Sequence, residues 1–267
     1  MGFTNSPLVT YTNITKNKTS PRKHKIDTIT IHCIVGQWTA KQGCDYFATT
    51  DRECSANYVV GKDGSIGLCV EEKDRSWCSG GPNKVNGISG SENDHRAITI
   101  EVASDKTAPY AVTDEAYEAL IKLVADICKR NDIKELKWQA DKNLVGQVNK
   151  QNMTVHRWFA NKSCPGDYLY ERHADIAEKV NAILNPPKKK TTLYRVQIGA
   201  YSVEKNAYVQ LDKVKKAGFT DAFIAHVGKY HKIQVGAYSV KKNADAMLAK
   251  VKAKGFDAFV TKVVKEE

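Results

Sequence analysis

The chain has 267 residues, of which 42% are hydrophobic and 9% aromatic, and it carries 41 Lys and Arg against 30 Asp and Glu for a net charge of +11. That length holds one core of roughly 150 to 180 residues plus a small second domain, and no apolar run approaches the roughly 18 residues of a membrane span, which excludes a membrane anchor. Seven cysteines, an odd number without a CxxC pair, speak against a disulfide framework and for reduced thiols in a protein made in a reducing cytosol.

Met1 to Pro7 has neither the basic n-region nor the apolar h-region of an export signal, and the lone Met1-Gly2 match to a myristoylation site assigns nothing. Ile26 to Ile34 reads as a strand, as does Ala56 to Val60 before the turn Gly61-Lys62-Asp63-Gly64. From Trp77-Cys78-Ser79-Gly80-Gly81 to Asn93-Asp94-His95 the chain is rich in Gly, Ser and Asn, and a long loop lining a groove for a polar polymer is expected. Ala97 to Ala103 is a third strand, and Tyr117, Leu120, Ile121, Val124, Ile127 and Cys128 recur at helical spacing. Thr154 to Trp158 reads as a fourth strand, and Ile176, Val180 and Ile183 mark a second helix. The class is α/β.

Two prolines and a basic tract in Asn185-Pro186-Pro187-Lys188-Lys189-Lys190-Thr191-Thr192 stop that helix and keep a connector extended. The expected domains are therefore 1–185 and 193–267, with a linker over 186–192. Charge divides there too: from Pro186 onward 17 Lys and Arg face 7 Asp and Glu, against 24 and 23 before it. After the linker, Tyr194-Arg195-Val196-Gln197-Ile198-Gly199-Ala200-Tyr201 returns 37 residues later as His231-Lys232-Ile233-Gln234-Val235-Gly236-Ala237-Tyr238. Each copy continues through a lysine-rich amphipathic stretch, breaks at Gly218 or Gly255 and ends in a short apolar run, so each is βαβ. Two copies are too few for a solenoid and fit one four-stranded sheet backed by two helices. The basic charge suits a polyanionic partner such as an anionic cell-wall polymer. Clustered arginines and RNP-type aromatics are missing, which speaks against nucleic acid.

Three strands of the first domain share a local frame. Thr30 precedes His32 by two positions, Thr99 precedes Glu101, and Thr154 precedes His156, so each pair lies on one strand face while Ile29, Ile31, Ile98, Ile100, Met153 and Val155 lie on the other. One face packs and the other holds chemistry. His32, His156 and the Cys164 of Lys162-Ser163-Cys164-Pro165-Gly166 make a three-donor zinc set that leaves a fourth tetrahedral position open, the pattern of a catalytic site. A nearby lysine and a metal both favour the thiolate of Cys164. Glu101 is a carboxylate in an otherwise apolar strand, costly to bury without a partner.

On these motifs, residues 24 to 184 resemble the zinc-dependent type 2 N-acetylmuramoyl-L-alanine amidases, the fold of many phage endolysins and of peptidoglycan recognition proteins. The resemblance implies a mixed central sheet flanked by helices and a Zn2+ ion on His32, His156 and Cys164. It also implies Glu101 as the base, with substrate contacts near Trp77 and Asn93. Some members carry a tyrosine beside the zinc where this chain has Ala56, and relatives lacking it use the glutamate that Glu101 matches. Lys162, two residues before a ligand, is expected to stabilise the oxyanion. The repeat resembles the SPOR domain, which implies binding of denuded glycan strands through Gln197, Tyr201, Gln234 and Tyr238. The joint expectation is a peptidoglycan amidase acting on muramyl peptide: a phage endolysin made in the host cytoplasm without a signal peptide, reaching the wall of a Gram-positive host after holin-type release. The alternatives are a bacterial autolysin of the same chemistry, a non-catalytic wall receptor, and a cysteine hydrolase pairing Cys164 with His156.

Overall fold

Residues 3–186 and 190–266 are described by the computed structural model, and the chain divides into the units Met1–Pro186 and Pro187–Glu267. Residues 187–189 of the expected linker lie outside the described residues, and its last three belong to a strand that begins at Lys190.

Along the first unit run strands β1 (Tyr11–Thr12), β2 (Lys18–Thr19) and β3 (Thr28–Cys33), helix α1 (Ala40–Thr49), and strands β4 (Tyr58–Val60), β5 (Ile66–Leu68) and β6 (Arg75–Ser76). Strands β7 (Lys84–Val85) and β8 (Ile88–Ser89), helix α2 (Gly90–Arg96), strand β9 (Ala97–Val102) and helix α3 (Asp114–Arg130) follow. Strand β10 (Met153–Thr154) and helices α4 (Asp167–Glu171) and α5 (His173–Leu184) complete it. The mixed six-stranded sheet has the order β1-β5-β4-β9-β3-β10. All neighbours are parallel except the antiparallel β4–β5 pair, whose turn relies on Gly64 at φ +76.

The isoleucine face of the sheet is the core face, as the alternation requires. Ile29, Ile31, Ile98 and Ile100 are fully buried against Leu120, Leu123 and Ile127 of α3 and Ile176 and Val180 of α5. Each such side chain contributes roughly 2 kcal/mol by its burial. Thr113 caps α3 by accepting from the Ala116 amide, with Asp114 and Glu115 in the first turn and Lys129 and Arg130 in the last, both favourable to the helix dipole.

Two sequence expectations are corrected. The strand expected over Thr154 to Trp158 ends at Thr154, and His156–Trp158 form a 3-10 turn. The expected loop between Trp77 and His95 contains the β7–β8 hairpin and α2, whose start is a capping box between Ser89 and Glu92.

The second unit has strands β11 (Lys190–Tyr201), β12 (Phe223–Val227), β13 (Tyr230–Tyr238) and β14 (Phe259–Glu266), with helices α6 (Glu204–Lys216) and α7 (Lys241–Ala253). Its antiparallel sheet runs β12-β13-β11-β14. Val196, Ile198, Ile233 and Val235 pack against Val214 of α6 and Val251 of α7, giving the four-stranded, two-helix arrangement that the repeat predicts. No helix among the described residues is long and apolar enough to cross a membrane.

Candidate metal centre and catalytic cleft

The shared threonine offset has a geometric meaning: β3 and β9 align Thr30 with Thr99 and His32 with Glu101, and β10 aligns Thr154 with Thr30. The threonines form one rung across three parallel strands, and His32 and Glu101 form the next. The chain then leaves β10 through the 3-10 turn, which brings the His156 ring to 5.2 Å from that of His32 at 63°. The loop after the turn returns Cys164, whose Sγ lies 3.4 Å from His32 Nδ1. One donor atom each from His32, His156 and Cys164 falls within 4.8 Å of the others.

These donors can hold a metal ion. His156 Nε2 sits 3.1 Å from the Gly80 carbonyl oxygen, which can only accept, so that nitrogen carries the proton and Nδ1 keeps its lone pair. Burial pushes the His32 imidazole well below its ordinary pKa, as does the neighbouring His156, and burial also lowers His156. Both rings are therefore neutral donors at pH 7. Burial pushes the Cys164 thiol well above its usual value, so the thiolate needs a cation beside it.

Glu101 stands directly opposite His32. Burial pushes its carboxyl up to about 7 against the opposing pulls of a Cys78 hydrogen bond and the Lys162 charge. Cys78 Sγ donates to Oε1 at 3.7 Å, while Oε2 is buried without a hydrogen-bond partner. One oxygen is held and the other is unpartnered.

A family model described as N-acetylmuramoyl-L-alanine amidase matches residues 22–167, and a SPOR domain model matches residues 190–262. The chain belongs to the N-acetylmuramoyl-L-alanine amidase family. Its activity class is that of a peptidoglycan amidase. Among solved structures, the peptidoglycan-binding domain of the Bacillus subtilis cell wall lytic enzyme CwlC is 40% identical over 27% of this chain and 90% of its own, with a TM-score of 0.25. A selenomethionine derivative of AmpD is 19% identical over 66% of this chain and 99% of its own, with a TM-score of 0.49. The endolysin LysCS of Clostridium intestinale is 18% identical over 67% and 99%, with a TM-score of 0.42. No curated protein sequence matches the chain.

The amidase cleft has a volume of about 770 Å3 and presents Glu101, His156, Lys162 and Cys164 between walls that include Trp38, Tyr46, Trp77 and Tyr110. His32 lies beneath, fully buried. Lys162 is exposed at the rim. Trp77 lines the cleft and is anchored by its indole Nε1 donating to Thr19 Oγ1 at 2.9 Å. Asn93 is not in the cleft: it is 2% exposed and bonds Thr30 at 3.1 Å and Thr154 at 3.2 Å, tying the threonine rung together from below. Ala56 is buried in a satellite cluster with Cys44, Phe47 and Val59, and the group beside Glu101 is Cys78.

Sequence reasoning missed Asp94 and the loop it holds. Asp94 Oδ2 accepts from the backbone amides of Cys78 at 2.9 Å and Ser79 at 2.8 Å. That fixes Ser79 Oγ 3.4 Å from His32 Nε2, and next to it the Gly80 carbonyl on His156. Gly90 lets α2 lie this close, since a Cβ there would stand 1.7 Å from the Ser79 carbonyl oxygen. The Ser89-x-x-Glu92 capping signal that begins α2 was the available clue.

In the SPOR-like unit the four residues expected to bind glycan do not share one surface. Gln197 and Gln234 oppose each other and are each 4% exposed, whereas Tyr201 and Tyr238 pack against the core between sheet and helices. The rung through the two glutamines continues outward to Phe223 and Phe259, 48% and 47% exposed.

Proposed function

We propose that the chain is a zinc-dependent amidase that hydrolyses the bond between N-acetylmuramic acid and L-alanine, with the ion on His32, His156 and Cys164. The observation that carries this reading is the juxtaposition of those three donors with a carboxylate oxygen that is buried and unpartnered. Zinc at such a set supplies the Lewis acidity that makes water a nucleophile near neutral pH. With an ion held there, Glu101 would stand as a carboxylate and accept a proton at Oε2. Glu101 returns that proton to the amine of L-alanine as the amide breaks. Lys162 offers its ammonium to the lactyl carbonyl oxygen as negative charge develops there. The aromatic walls shield the reacting amide from bulk water.

The test is digestion of purified walls with and without a chelator, scored by new L-alanine amino termini. Release abolished by chelator and restored by zinc is expected. Release that survives chelation would make Cys164 a nucleophile, and no release under any condition would make the protein a receptor. The cysteine reading is disfavoured because Cys164 contacts His32, not His156, and burial suppresses its thiolate.

We read the biological role as that of a phage endolysin for a Gram-positive host, its basic second unit retaining it on an anionic wall. Intracellular expression should leave host cells intact until the membrane is permeabilised. Lysis without permeabilisation contradicts this role and not the chemistry.

A further inference from the structure

The second unit contains a cluster of possible metal donors that the function proposed above does not call on. His226 of β12 and His231 of β13 are directly opposed across the two strands, with ring centroids 4.8 Å apart at 84°. Glu204 opens α6, and one donor atom from each of the three residues lies within 4.8 Å of the others. Nδ1 of His231 is buried and has no hydrogen-bond partner. Glu204 makes no ion pair among the described residues, although the unit is rich in lysine.

The internal repeat supplies a comparison within the same chain. Aligning the two copies sets Glu204 against Lys241, His226 against Lys262, and His231 against Tyr194. The backbone frame is the same, since Tyr194 is paired with Lys262 as His231 is paired with His226. One copy thus presents a phenol and two ammonium groups, and the ammonium groups repel a cation. The other presents two imidazoles and a carboxylate. The fold accepts either set, so the strand pairing does not require the histidines or the glutamate.

We infer that Glu204, His226 and His231 form a second metal site, a three-donor seat for a first-row divalent transition ion such as zinc, which clips the edge strand β12 and the first turn of α6 to β13. Two imidazoles and one carboxylate suit zinc, nickel or copper and disfavour magnesium and calcium, which take oxygen donors. Donors around a tetrahedral zinc stand about 3.4 Å apart, so the present spacing closes by up to about 1.5 Å. Rotation of Glu204 and His226, both exposed, can supply that movement. The unit is basic, so direct ligation and not the long-range field draws the ion.

The experiment uses the full chain, stripped of metal and then dialysed against micromolar zinc. Bound zinc is counted by elemental analysis, and the imidazole signals of His226 and His231 are followed by NMR. The wild type should bind one more zinc ion per chain than the variant E204K/H226K/H231Y, which carries the residues of the other copy. The single variant H226K, altered only at an exposed side chain, should show the same loss. Zinc should shift both imidazole signals in the wild type. Equal zinc content in all three proteins, or imidazole signals that zinc leaves unmoved, would overturn the site. Neither result depends on amidase activity.

Discussion

Asp94 is where burial and function pull in opposite directions, and two substitutions separate them. Its carboxylate is fully buried, and burial pushes its pKa up to about 6 despite two backbone amides and the Ser79 hydroxyl pulling it down. The raised folded pKa means that the ionised form is strained at pH 7. Relative to the ordinary value of 3.8, the strain is about 3 kcal/mol. Asp94→Asn keeps an oxygen acceptor for Cys78 and Ser79 but removes the charge. It should raise stability at pH 7 by up to about 3 kcal/mol. That advantage should shrink as pH falls through 6, because wild-type Asp94 then takes up a proton and gains stability. Asp94→Ala instead leaves two buried amides without an acceptor, at about 1 to 3 kcal/mol each. It also frees the loop whose Gly80 carbonyl orients His156, so zinc affinity should fall about 10- to 100-fold. Urea unfolding at pH 7 and pH 5, with zinc competition against a chromophoric chelator, measures both effects. Wild-type zinc affinity in Asp94→Ala would refute the positioning role, and an Asn variant no more stable than wild type at pH 7 would refute the burial argument.

Glu101→Gln should lower kcat about 10²- to 10⁴-fold with zinc content unchanged; wild-type turnover on purified walls would remove Glu101 from the mechanism. Lys162→Met should lose about a hundredfold, the low end for an oxyanion donor because the exposed ammonium is screened by water, again with zinc retained. His173 is buried, with Nδ1 2.7 Å from the Leu169 carbonyl oxygen, and burial lowers its pKa to about 4. The unfolded state therefore takes up a proton first, and stability falls as pH drops from 6.5 towards 4, by about 2 kcal/mol between pH 7 and pH 5. His173→Gln should remove that part of the slope in urea titrations, and an unaltered slope would exclude His173 as its source. Phe223→Ala with Phe259→Ala tests the exposed ends of the glutamine rung as a glycan contact: sedimentation with purified walls should weaken with the melting temperature unchanged, and undiminished binding would exclude the rung.

The period-2 alternation made the chemical face legible, because parallel register turns a repeated local offset into a shared rung. Thr30, Thr99 and Thr154 are informative for this reason. The same rule failed one step later: a strictly extended chain would have carried β10 through His156, and the actual 3-10 turn is set by contacts such as the Arg157 amide bonding the Cys164 carbonyl, which lies in a loop of no fixed period. Capping boxes at Thr39 with Gln42 and Ser89 with Glu92 were readable signals for α1 and α2, obscured by the Gly, Ser and Asn content around the second. The walls Trp38, Tyr46 and Tyr110 come from three separate loops and helices, and no local pattern announces such convergence. The burial of Gln197 and Gln234 was hidden because polarity in an alternating strand normally marks the solvent face.

The turn at His156 also shapes the donor cluster. A histidine continuing β10 in the same register would stand in the rung of His32. Leaving the sheet tilts His156 so that Nε2 meets the Gly80 carbonyl, and Gly80 is held there because Asp94 fixes the two residues before it. The tautomer of His156 is thus decided by a buried carboxylate on a different helix, through backbone atoms alone. The threonine rung sets the spacing of the strands beneath, with Thr30 and Thr154 hydroxyls 2.7 Å apart and both bonded to Asn93. The donor arrangement therefore rests on two buried polar groups adjacent in α2, Asn93 bonding the threonines of the strands and Asp94 the loop before Gly80. A shift of α2 would loosen the strand spacing and the His156 tautomer together, so the short helix that the sequence disguised as loop is the element on which the donor geometry depends.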